Sequence, residues 1–188
     1  MQEAGMTYQR LVSSDFLKVC SIRTAALYRY WEARKRGSNL PSRADIDPAE
    51  MKPWLPGLVL VDVSELSSER RITYRVVGTA VCMHRGFDPT GRPVQEGLYG
   101  KVRDEVLENY RIAIEERSIV FDYDPTPSRS GCAREIGTLF LPLSGDGKRV
   151  DKILIYQDIE PILAAELNAV LPGLGEWQGP RKRAPIAG

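Results

Sequence analysis

The chain has 188 residues, with 26 basic against 25 acidic side chains and a formal net charge of +1. That length favours one domain with added elements and can bury a sizeable core. The near-neutral balance argues against a broad electrostatic surface for nucleic acid, no apolar run is long enough to span a bilayer, and the opening MQEAGMTYQR lacks the apolar centre of a signal peptide, so the cytoplasm is the expected compartment.

Residues 1–12 read as a flexible N-terminus. Residues 13–37 read as one flanking helix, begun by Ser13 to Asp15 as caps and stopped at Gly37. Phe16, Val19, Cys20, Leu27, Tyr30 and Trp31 recur there at roughly helical spacing. Asp47, Pro48 and Glu50 read as an N-cap, a first-turn proline and a capping-box partner of a short helix that ends before Pro53. Arg43, Asp45 and Asp47 in this connector fit a structural lock between the first helix and the sheet, with contact to a partner as the alternative.

Strands are expected at Leu58–Val63 and Ile72–Val77, the second with Ile72, Tyr74 and Val76 on one face. Gly78–Thr79 then stops the strand, and Thr79 is expected to cap the short helix AVCMHRG. The turn-rich FDPTGRPVQEG leads to a longer helix at Lys101–Arg117, apolar along Val102, Val106, Tyr110 and Ala113. Three more strands follow near Ile119–Tyr123, Ala133–Pro142 and Val150–Gln157, the last two joined by the tight turn Ser144–Gly147. A C-terminal helix is expected at 161–171 and a flexible tail at 172–188. Helices that do not alternate with single strands exclude a doubly wound parallel sheet. The expected fold class is therefore α+β: a five-stranded antiparallel sheet with helices gathered on one face, spanning about 38–160, plus the extra N-terminal helix.

The element order, with LPSRADIDPAEMKPWLPGLVLVDV, ITYRVVGTAVCMHRGFDPTGR and FLPLSGDGKRVDKILI, resembles the PAS fold, and in particular small single-domain PAS proteins of alphaproteobacteria. The resemblance runs from about Leu27 to Gln157. It implies a sensor or protein-interaction module in signalling, working by ligand- or partner-linked conformational change, and it fixes neither the ligand nor the signalling partner. A small-molecule carrier or small enzyme using the same cavity is the alternative, against which the sparse catalytic inventory speaks. The resemblance also implies a homodimer, with Phe16, Val19, Cys20, Leu27, Tyr30 and Trp31 contributing to the interface. Packing of that helix on its own sheet is the competing outcome. Candidates for a ligand pocket between sheet and helices are Tyr74, Val76, Cys82, Tyr110, Phe121, Phe140 and Tyr156.

The chemical motifs are thin. His84, the only histidine, precedes the long helix on which a haem ligand of a PAS domain usually lies, and the Val81–Cys82–Met83 stretch does not match the flavin-reactive motif of light-sensing members. Haem and flavin are thus disfavoured, and the cofactor stays unknown. The three cysteines, Cys20, Cys82 and Cys132, form neither a disulfide framework nor a metal knuckle and read as reduced, mostly buried small hydrophobes. Gly145–Lys148 lacks a phosphate-loop pattern. Arg181–Arg183, in a Pro- and Gly-rich tail, reads as solubilising.

Overall fold

Both faces of the central strands are apolar, and both are covered. The computed structural model describes residues 8–66, 69–98, 103–124 and 136–159. The elements are β1 Gln9–Leu11, α1 Ile22–Glu32, β2 Leu58–Leu66, β3 Glu69–Val77, α2 Thr79–Arg85, α3 Val94–Gly97, α4 Arg103–Glu115, β4 Val120–Asp124, β5 Ile136–Leu143 and β6 Lys152–Gln157. The strands form one antiparallel sheet in the order β1-β4-β5-β6-β2-β3. The five expected strands are all present. The sixth, β1, lies within the stretch expected to be flexible and pairs with the edge of β4. The C-terminal helix, the tail, Cys132 and Arg181–Arg183 lie outside the described residues.

Register and alternation sort the side chains into two layers. Val120, Phe140, Ile155 and Val59 stand side by side on one face. Tyr110 of α4 meets Phe140 edge-on at 5.3 Å between ring centroids, so this inner face lies under α4. Phe121, Leu139, Tyr156 and Leu58 line the opposite face. Phe16 stacks on Phe121 at 5.3 Å, and the Trp31 indole N–H donates to the Pro142 carbonyl at 3.1 Å, so this outer face carries the N-terminal segment.

That segment is not one helix. Ser14–Lys18 forms a 3-10 turn, and α1 starts afresh at Ile22, with the Ser21 hydroxyl accepting from the Thr24 backbone N–H. The break lets Phe16 reach Phe121 while α1 lies over β5. The expected helix at Asp47 is a turn, in which the Asp47 carboxylate accepts from the Ala49 N–H. Asp45 accepts from the Ser42 N–H and hydroxyl and pairs with Arg36 beyond the end of α1 at 2.8 Å. Those contacts, the Ser42 ones foremost, hold its carboxyl below the usual range. Arg43 donates to the Ile46 carbonyl. The connector's charges are thus bonded within the connector and to the segment that follows α1.

The β5–β6 turn is held the same way. Asp146 accepts from the Lys148 and Arg149 backbone N–H groups, both at 2.8 Å. The Arg149 N–H first, then that of Lys148, pull its carboxyl down to about 2. A depressed folded value gives stability that is full above the unfolded value and lost as pH falls through the folded one. The amide resonances of Lys148 and Arg149 should therefore shift together with a midpoint near pH 2. An ordinary midpoint near 4 would show that the two bonds do not hold the carboxylate.

Candidate functional site

Three inner-layer side chains from different elements meet under α2 and α3. Arg85, in the last turn of α2, is 7% exposed. Its Nη1 donates to the Tyr74 hydroxyl and to the Gly97 carbonyl, each at 2.9 Å. Its guanidinium also lies 5.3 Å from the centre of the Tyr74 ring. Gly97 of α3 is pressed against that ring, and a Cβ there would come within 2.5 Å of it. Tyr110 completes the group. Burial, and then the Tyr74 hydroxyl, push its phenol well above the usual range, against the pull of Arg85. A charged group so deep in an apolar layer is costly unless bonded, and here it is bonded.

Tyr110 also feels the Asp122 carboxylate, which belongs to a second buried polar group nearer the β4 edge. Asn109 of α4 is fully buried and spends its whole amide there. Its oxygen accepts from Arg10 Nε at 2.5 Å, and its nitrogen donates to the Tyr8 hydroxyl at 2.6 Å and to Asp122 Oδ2 at 2.5 Å. The Tyr8 hydroxyl donates to the same Asp122 oxygen at 3.1 Å. Arg10 Nη2 donates to the Glu105 carbonyl at 2.7 Å and to its carboxylate at 2.9 Å. Burial foremost, then the Asp122 charge, raise the Tyr8 phenol above its ordinary value.

Of the expected pocket residues, Tyr74, Tyr110 and Phe140 share this inner layer. Cys82 lies half-buried on α2 with its thiol directed at the Val77 carbonyl, raised by burial and by Asp88. Val76, Phe121 and Tyr156 stand on the outer side. Val76 is turned there by a bulge: β3 pairs Val76 with Leu60 but Tyr74 with Val61, so Arg75 is the extra residue. It is 48% exposed, whereas Tyr156 is buried and bonds Asp158. His84 is half-buried in the last turn of α2.

The expected interface residues lie mostly inside the chain itself. Phe16, Cys20, Leu27, Tyr30 and Trp31 are buried within their own chain, and only Val19 is exposed. Burial lifts the Cys20 thiol to about 12, which keeps it protonated. Their apolar surface is already covered within one chain. Thr79 does not cap α2 either. Gly78 holds the N-cap position without a side-chain bond, and Thr79 is the first helical residue.

A groove of about 700 Å³ opens where the end of α4 meets β2 and the β5–β6 turn. Several of its charges are already bonded within the chain: Arg70 pairs with Glu115 at 2.8 Å, and Arg117 donates to the Gly147 and Lys148 carbonyls. Among the described residues, no group of three metal-ligating side chains occurs, and no helix is long and apolar enough to cross a membrane.

The sequence matches the family described as PAS domain over residues 19–155. No curated protein matches the chain. Among solved structures it is similar to one described as an RNA-binding Light-Oxygen-Voltage receptor, at 16% identity over 64% of this chain and 36% of that one, with a TM-score of 0.40.

Proposed function

This chain belongs to the PAS domain family, and from that premise we propose that it is a sensory or protein-interaction module of cytoplasmic signalling whose output is a shift in how α2–α4 pack on the sheet. The observation that carries the reading is the Arg85–Tyr74–Tyr110 group. Polar side chains are rarely buried among apolar ones without a use, and ligand sites between layers combine apolar walls with a few convergent polar groups. A small molecule with an anionic or strongly accepting end would find its donors there. By binding one packing of the helices better than another, it would shift the population between them. The signalling partner would read that shift and carry the effector activity.

The test is native mass spectrometry of the protein from its own host, followed by melting with each recovered small molecule. A bound mass that raises the melting temperature, with affinity reduced about tenfold or more in Arg85→Met, is the expected result; tenfold corresponds to about 1.4 kcal/mol, the scale of one charge-assisted hydrogen bond. A ligand held equally well by Arg85→Met would remove the cluster from the site. The absence of both adduct and stabilisation would leave protein docking as the function.

A further inference from the structure

We propose that the edge of β4, together with Asn109, Asp122 and Glu105, is a strand-acceptor site, that β1 is its exchangeable occupant within the chain, and that the partner it fits is an extended segment carrying tyrosine and arginine two residues apart. Three features of β1 carry this. The strand is only three residues long, Gln9–Leu11, and its ladder has three pairs. So short an edge strand cannot hold itself by backbone bonds alone. It is also little buried: Gln9 is exposed, and Arg10 and Leu11 are half-buried. What fixes it is side-chain recognition. The Tyr8 hydroxyl is bonded by Asn109 and Asp122, and the Arg10 guanidinium by Asn109 and Glu105.

The receiving groups belong to the core, and the groups received belong to the strap. Asn109 and Asp122 are buried on α4 and β4, which pack on the rest of the domain without β1. Withdrawal of β1 would uncover an unpaired edge with a carboxylate, an amide and a second carboxylate aligned beside it. Such an edge takes an added strand by main-chain bonds, with the side-chain pockets setting which strand it takes. The spacing of those pockets specifies a hydroxyl-bearing aromatic, one intervening residue and a guanidinium. A lysine cannot offer the several donors in one plane that Arg10 uses on Asn109 and Glu105.

The test uses a fluorescent peptide of sequence MTYQRLVS, residues 6–13, and the full chain. The double variant Tyr8→Ala/Arg10→Ala weakens the occupant and leaves the acceptor intact. It should bind the peptide at least tenfold more tightly than the wild-type chain does. Asn109→Leu damages the acceptor and should bind it no better than wild type. Hydrogen exchange gives a second readout that needs no peptide: residues 9–11 should exchange at least tenfold faster in both variants, with β5 and β6 protected as before. A double variant that takes up no peptide, or residues 9–11 that loosen only together with β5 and β6, would overturn the proposal. Neither readout involves a small-molecule ligand, so failure here is distinct from failure of the sensory reading.

Discussion

Gly78→Ala should cost about 3 kcal/mol, at the upper end of the usual penalty for forcing an extra carbon into a packed site. Gly78 has φ −65 and ψ 152, a conformation open to any residue, so backbone freedom does not explain it. Space does. A Cβ would lie 2.3 Å from both the Leu55 and the Pro56 carbonyl oxygens and 2.6 Å from the Pro56 carbonyl carbon. Those are backbone atoms of the 3-10 turn Leu55–Gly57 that leads into β2, and they cannot swing aside as a side-chain tip could. Moving the other way would stretch the bond from the Gly78 N–H to the Leu58 carbonyl, at 2.7 Å, which ties the end of β3 to the start of β2. Thr79→Ala, one position on, should change stability by less than about 0.5 kcal/mol, because the exposed Thr79 side chain makes no capping bond. Denaturant midpoints of the two variants would separate a steric joint from a helix cap. A Gly78→Ala midpoint equal to that of the parent would show that the turn can give way.

The same joint shows how far the sequence can be read. Strand positions, the stop at Gly78 and the long helix are legible because apolar density and turn residues mark them. Strand phase is not, and Asp122 shows why. Alternation assigns faces only when one face is wet. Here Phe121 packs outward on Phe16, and the aspartate beside it points inward to Asn109. Phe121, expected in the pocket, thus stands on the outer face, and Asp122, for which the sequence suggests no place, stands on the inner one. Tyr156 fails for the same reason, under the N-terminal cover. Val76 fails for another: a one-residue bulge at Arg75 resets the phase of β3, and nothing local announces it. The Asn109 group was beyond reach because its members, Tyr8, Arg10, Glu105, Asn109 and Asp122, come from three distant parts of the chain, and no single stretch carries a pattern. Arg85 carries no mark of its own in the sequence, because a basic residue in the last turn of a short helix suits the helix dipole whatever else it does.

The outer layer yields the second large effect. Phe16→Ala should destabilise the protein by about 3–5 kcal/mol, the range for removing a buried phenylalanine from a tight core. Phe16 is wholly buried. It stacks on Phe121 at 5.3 Å and meets Tyr28 edge-on at 5.2 Å, so the strand β4 and the helix α1 both rest on it. Phe121 would have to leave its seat over Gly137 on the neighbouring strand to fill the space, because its ring lies where even a Cβ on Gly137 would come within 2.7 Å. The cavity should therefore stay open. Val19→Ala, three residues on and 47% exposed, should cost less than about 0.5 kcal/mol. The contrast decides what the segment is for. If it covers its own sheet, Phe16→Ala lowers the melting temperature by the same amount at every protein concentration, since no association is linked to folding. If the segment were shared between two copies, the loss would shrink as concentration rises and mass action restores the contact, and Val19, the candidate left facing solvent, would matter as well.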